Sequence, residues 1–261
     1  MKLKLRYLNS NRAFCWCPFH TSKKGNADLE ICLSGKWQGK YYCHGCGQSG
    51  YVTMDVLNKL LKKQKKLGFK EPTAVDFNSL VEQYCDTYDR HGIKEPFDVS
   101  WVVGSILDIG WDGSAWTIPF RNNDREVVGI QRRFPDGFKC MVEGGSLGII
   151  IPGGVLDHSI PLYITEGASD LAAVLECELQ GIGRPNCNAI EDQIVEFCEP
   201  FKEIIVVADN DAPGLNGAMS LVNAIPLATK VIIKTPKPYD DLYSMYQDVE
   251  LKETKKWLLK N

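Results

Sequence analysis

The sequence predicts an α/β protein, α+β overall, with a small metal-binding ribbon, a basic mixed β subdomain and a mostly parallel sheet with crossover helices. Three observations predict this fold. Two pairs of cysteine or histidine ligands lie near the amino terminus, residues 101–152 have a β pattern with hairpin turns, and residues 161–235 alternate between strand and helix. The last pattern is typical of parallel strands joined by helices. The expected boundaries are 1–67 for the ribbon with a basic helix, 68–76 for a linker, 77–155 for the basic subdomain and 156–261 for the parallel sheet.

Composition and charge limit the classes of function. The chain of 261 residues is 44% hydrophobic, enough for a sizeable core, and has no segment near the roughly 18 apolar residues of a membrane span. No apolar signal region follows the start. We therefore expect a soluble cytoplasmic protein with no membrane partner. Although the net charge is −3, residues 1–70 carry 12 Lys and 2 Arg against three acidic residues. This basic arm indicates a polyanionic partner.

Four residues near the amino terminus have metal-ligand spacing. Cys17-Pro-Phe-His20 and Cys43-His-Gly-Cys46 are two short pairs, each predicted to lie at a turn. Two such pairs place soft ligands tetrahedrally around Zn²⁺. We expect one structural Zn²⁺ per chain, bound by Cys17, His20, Cys43 and Cys46.

Two neighbouring residues compete with this ligand set. Cys15 is an alternative to Cys17, and His44 is an alternative within the second pair; the pair spacing favours Cys17, and His44 is expected to face solvent or DNA. The ribbon strands are predicted at 29–33 and 40–43, followed by a lysine-rich helix at 53–67.

Aromatic and cationic residues alternate within the ribbon. Trp37 and Lys40 are the candidates for binding single-stranded DNA, because bases stack on rings while ammonium groups meet phosphates. Some of the rings in so small a ribbon are expected to form its core instead. The lysines at 59–66 also fit an ordinary solvated helix face.

The central region is predicted to present a basic hairpin. A helix is expected at 77–90, and strands at 115–120 and 125–133 are joined by the turn at 121–124. Guanidinium groups bind phosphates bidentately, so this hairpin is a candidate template and triphosphate surface. The alternative is an ordinary charged strand face, and strand alternation lets only one of Arg132 and Arg133 face a groove. The basic candidates are Arg121, Arg125, Arg132, Arg133 and Lys139.

Acidic residues follow two strands of the predicted parallel sheet. Glu166 follows the strand at 161–165, and Asp209 and Asp211 follow the β-branched strand at 203–208. Parallel neighbours would bring these carboxylates to one sheet edge, where they suit Mg²⁺. The alternative is a helix amino-terminal cap with a solvated acid. The remaining elements are predicted as helices at 169–180, 190–198 and 214–224 and a strand at 229–234.

These motifs resemble those of DnaG-type primases of bacteria, and their sequences are most similar to those of the short primases of phages and mobile elements. The two ligand pairs resemble the primase zinc ribbon. Glu166-Gly-Ala-Ser-Asp170 and Asp209-Asn-Asp211-Ala-Pro-Gly214 resemble the acidic motifs of the Toprim fold, which topoisomerases and some nucleases share. The segment 110–133 is similar to the basic subdomain that precedes Toprim in primases. Ribbon, basic subdomain and Toprim together cover nearly the whole chain in the family's order.

The resemblance implies RNA primer synthesis de novo on single-stranded DNA from ribonucleoside triphosphates, with catalytic Mg²⁺ or Mn²⁺. It implies catalytic or metal-binding roles for Glu166, Asp209 and Asp211, and a supporting role for Asp170. The third acidic motif is represented by Asp240 and Asp241, and we favour Asp240.

The setting implied by the resemblance is a bacterial or phage-infected cell. Since no helicase domain follows residue 261, a replicative helicase is expected in trans, and we expect a monomer. Two other functions use the same features: a Toprim nuclease or topoisomerase-like enzyme, and a catalytically silent zinc-ribbon DNA-binding protein.

Overall fold

The chain forms two compact units in a computed structural model that describes residues 3–8, 11–21, 27–67, 75–91, 97–187, 189–226 and 229–260. The first unit comprises Met1–Val75 with Asp136–Phe138, and the second comprises Asp76–Pro135 and Lys139–Asn261. Most of the predicted linker, residues 68–74, lies outside the described residues. Among the described helices, none is both long and apolar enough to span a bilayer.

The first unit, in its described residues, is an antiparallel five-stranded sheet with strands in chain order and one α-helix. Its elements are β1 (Leu5–Leu8), β2 (Arg12–Cys15), β3 (Leu29–Cys32), β4 (Lys40–Cys43), β5 (Ser49–Tyr51) and α1 (Met54–Lys66). Alternation in β3 buries Leu29 and Ile31, which pack with Leu57 and Leu60 of α1. The helix therefore covers one face of the sheet, and the lysines of α1 lie outside this core.

The second unit begins with a four-stranded antiparallel sheet and two helices. These elements are α2 (Phe77–His91), α3 (Trp101–Ile106), β6 (Gly110–Trp111), β7 (Trp116–Arg121), β8 (Val127–Arg133) and β9 (Lys139–Met141). The predicted hairpin is β7 and β8, paired in antiparallel register from Trp116 opposite Arg133 to Arg121 opposite Val127.

A parallel sheet completes the second unit, with strand order β11-β10-β12-β13. Its elements are β10 (Leu162–Glu166), α4 (Ala168–Glu176), β11 (Gly181–Arg184), α5 (Glu191–Cys198), β12 (Glu203–Ala208), α6 (Ala212–Ala224), β13 (Thr229–Lys234), α7 (Leu242–Asp248) and α8 (Leu251–Lys260). Ile164 and Val206 pack with α5 and α6, whereas Tyr163 and Val207 pack with α4, α7 and α8. Because β10 and β12 are adjacent and parallel, their carboxyl ends lie at the same edge.

Two differences from the sequence prediction affect this edge. The helix predicted at 169–180 ends at Glu176, because Glu178 takes the left-handed backbone conformation (φ 56°) and the chain turns into β11. The strand β11 itself was not predicted. It lies beside β10 and ends at Arg184, opposite Glu166 in the register.

Candidate functional site

The first unit holds a Cys3His group with the dimensions of a zinc site. The ligand atoms of Cys17, His20, Cys43 and Cys46 all lie within 4.8 Å of one another. Cys17 Sγ lies 3.9 Å from Cys46 Sγ, and Cys43 Sγ lies 3.7 Å from His20 Nδ1. A tetrahedron with metal–sulfur bonds of about 2.3 Å has edges of about 3.8 Å, so these separations fit Zn²⁺. The predicted set is therefore brought together as a group suited to one metal ion.

The surroundings of the group orient its histidine. Asp28 Oδ2 lies 3.3 Å from His20 Nε2, on the opposite side of the ring from the nitrogen that faces the thiols. A carboxylate in this position fixes the tautomer in which Nδ1 is the ligand. Gly45 is required here, since a Cβ would lie 2.5 Å from His20 Nε2.

The two competing residues lie outside the group. Cys15 is fully buried in the ribbon core, and the His44 ring lies 2.9 Å from a Glu30 carboxylate oxygen. The His44 side chain is largely exposed, as predicted from its position inside the knuckle.

Trp37 and Lys40 lie on the exposed surface of the ribbon. The Lys40 ammonium lies 4.4 Å from the centre of the Trp37 ring, and the Lys36 ammonium lies 5.2 Å from it. Tyr51, opposite Lys40 in the register, and Tyr42 are also exposed. The sheet face opposite α1 therefore presents rings and cations together, a combination that suits single-stranded nucleic acid.

The second unit gathers carboxylates at the carboxyl edge of the parallel sheet. Glu166 ends β10, and Asp209 and Asp211 follow β12. Burial raises the pKa of Glu166, Arg184 opposes that shift and Asp211 adds to it. Burial, together with Glu166, Asp241 and Asp211, raises the pKa of Asp209 to about 7. The charges at this edge therefore interact strongly.

Asp170 and Asp211 contribute from the first turns of two helices. Asp170 is almost fully buried and accepts a hydrogen bond from the Tyr243 backbone N–H at 2.8 Å. Burial raises the pKa of Asp170 well above its usual value, and Asp209 and Asp241 add to this. Asp211 caps α6, accepting from Gly214 N–H at 2.7 Å. The helix-cap interpretation is thus correct for Asp211, and the same residue acts electrostatically on Glu166 and Asp209.

Asp240 and Asp241 occupy different environments. The Asn210 backbone N–H donates to Asp240 O at 2.7 Å, and the Asn210 side chain donates to Tyr239 O at 3.0 Å. The Asp240 side chain is exposed. Asp241 is half-buried, caps α7 and raises the pKa of both Asp170 and Asp209. The structure therefore favours Asp241, contrary to the preference for Asp240.

The donor set of the acidic edge fits a hard divalent cation. Its members are Glu166, Asp170, Asp209, Asp211 and Asp241. All are oxygen donors, and the buried Glu166 Oε2 has no hydrogen-bond partner in the described part of the chain. Carboxylate oxygens are the ligands that Mg²⁺ and Mn²⁺ prefer. Within the described residues only the Cys3His group forms a tight set of ligand atoms, so the carboxylates are more widely spaced.

Most of the predicted basic residues are held in contacts within the protein. Arg121 donates to Asp108 at 2.6 Å, and Arg125 donates to Pro152 O at 2.6 Å. Arg132 donates to Asp112 at 2.5 Å and to Ser114 at 2.9 Å. The structure thus gives these three arginines a structural role that the sequence interpretation did not assign.

Arg133 and Lys139 lie near enough to the acidic edge for their charges to act on it. The Arg133 guanidinium lies 5.0 Å from the centre of the Phe97 ring. Burial lowers the pKa of Arg133, whereas Tyr243, Asp170 and Asp241 oppose the shift. Lys139 lies opposite Arg133 in the register and lowers the pKa of Glu166. Alternation along β8 therefore separates Arg132 from Arg133, as predicted.

Arg184 is a charged residue of the edge that the sequence interpretation missed. It is 2% exposed, ends β11 and lies opposite Glu166 in the register. Its charge lowers the pKa of Glu166 and of Asp209, against the larger effect of burial. Only the prediction of a strand at 181–184 would have placed it here.

Comparisons with known proteins identify the fold. No protein-family model and no curated protein matches the chain. The primase fragment of the bacteriophage T7 primase-helicase is 15% identical with a TM-score of 0.53, and the alignment covers 89% of this chain and 93% of that one. The zinc-binding and RNA polymerase domains of the Aquifex aeolicus primase are 14% identical with a TM-score of 0.51, covering 99% and 80%.

A third solved structure matches a smaller share of the chain. A DNA primase domain from Pseudomonas aeruginosa is 10% identical with a TM-score of 0.52, covering 70% of this chain and 77% of that one. The chain thus has the fold of DnaG-type primases, and the predicted resemblance is confirmed at the level of fold.

Proposed function

We propose that the protein is a DNA-dependent RNA primase that makes short primers de novo on single-stranded DNA. The observation that carries the proposal is the cluster of five carboxylates at the carboxyl edge of the parallel sheet, with Arg133 and Lys139 near it. Phosphoryl chemistry needs an anionic site for divalent cations beside cationic groups for phosphates. The DnaG-type fold adds support.

The reaction is nucleotidyl transfer. The 3′-hydroxyl oxygen of one nucleotide forms a bond to the α-phosphorus of the next nucleoside triphosphate. The bond from that phosphorus to the bridging oxygen breaks, pyrophosphate leaves with the electron pair, and the hydroxyl proton passes to solvent. When bound, Mg²⁺ or Mn²⁺ lowers the hydroxyl's pKa and neutralises phosphate charge.

The residues of the edge have three separate roles in this proposal: metal binding, positioning and triphosphate binding. Glu166, Asp209, Asp211 and Asp241 hold the divalent cations. Asp170, buried beneath them, fixes the amino end of α7 through Tyr243 and so positions Asp241. Arg133 and Lys139 bind the triphosphate, because both are cationic and lie near the acids.

The ribbon binds the template in this proposal. One Zn²⁺ held by the Cys3His group stabilises the turns that follow β2 and β4, and Trp37 and Lys40 meet bases and phosphates of single-stranded DNA. The protein works in the cytoplasm as a monomer and recruits a replicative helicase in trans. Co-purification that recovers no replicative helicase would argue against this last point.

The test is synthesis on unprimed single-stranded DNA of mixed sequence, with labelled ribonucleotides and Mg²⁺ or Mn²⁺. The wild-type chain is expected to give short labelled products, and Asp209→Ala/Asp211→Ala is expected to reduce them at least ~10³-fold. Glu199→Ala/Glu250→Ala removes the same charge from exposed positions and should retain synthesis. A wild-type chain that makes no product on many templates, with helicase added, would contradict the proposal. Template cleavage would then indicate a nuclease, and an intact template a DNA-binding protein.

A further inference from the structure

The end of β11 places a buried cation among the carboxylates. Arg184 is the last residue of β11 and lies beside Glu166 of β10 in parallel register. The backbone of Arg184 also joins the ends of β10 and β11, because the Gly167 N–H donates to Arg184 O at 2.9 Å. Burial lowers the pKa of Arg184, and Glu166 and Asp209 are among the groups that oppose the shift. The guanidinium thus lies within the electric field of the acids.

Among the described residues, two of the three nitrogens of this guanidinium have no hydrogen-bond partner. Its Nη1 donates to Cys187 O at 3.1 Å and to Gly217 O at 3.3 Å, whereas its buried Nε and Nη2 donate to nothing in the described part of the chain. The buried Glu166 Oε2 is unpartnered in the same way. Burying a charge without compensation costs several kcal/mol. Two carbonyl contacts therefore do not account for the burial of Arg184, and the charges of Glu166 and Asp209 are among those that favour its charged form.

We propose that Arg184 is a positioning residue that acts as the internal counter-cation of the acidic edge. Its positive charge offsets the repulsion between the carboxylates of Glu166 and Asp209 when no ion is bound. The same charge repels the divalent cation and so weakens its binding. This inference rests on the proposed function only in taking the edge as a metal site. A site with a built-in cation binds its metal reversibly rather than permanently, which suits an enzyme that releases pyrophosphate in every cycle.

The test compares Mn²⁺ binding and thermal stability in Arg184→Met and wild type, without measuring synthesis. The zinc-loaded full chain is titrated with Mn²⁺, and unbound Mn²⁺ is measured by electron paramagnetic resonance. Arg184→Met is expected to bind Mn²⁺ about tenfold more tightly, because a nearby positive charge is removed. Its Tm should fall by several degrees without Mn²⁺ and recover most of that loss with Mn²⁺. Arg184→Lys, which keeps the charge, should resemble wild type in both measurements.

A matched variant separates this role from simple packing. Arg121→Met also removes a largely buried, paired arginine, but one bound to Asp108. Its loss of Tm should be the same with and without Mn²⁺. If Arg184→Met behaves in this way and binds Mn²⁺ like wild type, the counter-cation role is wrong.

Two further outcomes complete the design. If Arg184→Met does not fold, Glu166→Gln/Arg184→Met should fold, because it removes one charge of each sign; failure of this double variant would also overturn the proposal. The proposed function fails separately if wild type binds no more Mn²⁺ than Asp209→Ala/Asp211→Ala does. Tighter Mn²⁺ binding by Arg184→Met than by wild type supports the role of Arg184 whatever reaction the site performs, and weaker binding would overturn it.

Discussion

At the scale of single residues, Asp240 and Asp241 show why adjacent acids are not equivalent. Asp240 is exposed and contributes its backbone carbonyl to Asn210, whereas Asp241 is half-buried beside Asp170 and Asp209. The sequence predicted that one of them serves the metal site. The sequence led us to favour Asp240, whereas the structure favours Asp241, because the choice depends on hydrogen bonds between the loop before α7 and Asn210, which lies about 30 residues earlier in the chain.

The pair gives a direct prediction. Asp241→Asn should lower Mg²⁺-dependent synthesis by about 10²-fold or more, because it removes a negative charge that the cations require. Asparagine caps helices about as well as aspartate, so α7 should persist and Tm should change little. Asp240→Asn is the matched variant and should keep synthesis within about threefold, since the exposed carboxylate has no role at the edge. Equal losses in the two variants would contradict the assignment of Asp241.

At the scale of elements, the strands with β-branched residues could be predicted and β11 could not. The run Glu203–Ala208 is rich in Val and Ile and was predicted as β12 with its observed bounds. The sequence of β11 is Gly-Ile-Gly-Arg, which lacks a strand signal. Its glycines are required by contacts that only the sheet creates: a Cβ at Gly181 would lie 2.8 Å from Tyr163 O. Missing β11 also meant missing Arg184.

Alternation along β8 yields a prediction with a pH signature. Arg132 is paired with Asp112, so Arg132→Met should reduce the free energy of unfolding by about 1–3 kcal/mol at neutral pH, between the values for exposed and buried pairs. Burial raises the pKa of Asp112, but Arg132 and Ser114 outweigh this effect and hold that pKa below its usual value. The stabilisation is therefore complete above the unfolded-state pKa, about 3.9, and is lost as the pH falls through the lower folded-state pKa.

Denaturant unfolding as a function of pH measures this effect. The difference between Arg132→Met and wild type should shrink below about pH 4, whereas Lys252→Met, at an exposed position, should show little difference at any pH. Synthesis adds a second contrast at neutral pH. Synthesis by Arg133→Met should fall at least about tenfold relative to wild type, because Arg133 lies near the acids. Synthesis by Arg132→Met should stay within about threefold of wild type. A larger loss of synthesis in Arg132→Met would indicate that Arg132 binds the template after all.

At the scale of the whole molecule, each compact unit has its own core and its own group of side chains whose donor atoms suit a metal ion. The ribbon ligands could be predicted from spacing alone because two short pairs restrict where a tetrahedral site can form. The acidic edge required the additional prediction that two strands are parallel neighbours. We infer from this organisation that loss of zinc affects the first unit and leaves the cation site of the second intact.

Cys17→Ser/Cys46→Ser tests this independence in the full chain. Bound zinc should fall from one per chain to none by elemental analysis. Calorimetry should show loss of the transition of the first unit, because structural zinc contributes on the order of 10 kcal/mol to small ribbons. Mn²⁺ binding at the acidic edge should persist, while synthesis on unprimed DNA falls by about 10²-fold or more for want of an ordered template-binding face. Cys32→Ser, at a half-buried thiol of the same sheet outside the ligand set, should keep zinc, both transitions and synthesis. Loss of Mn²⁺ binding together with zinc would mean that the two sites depend on each other.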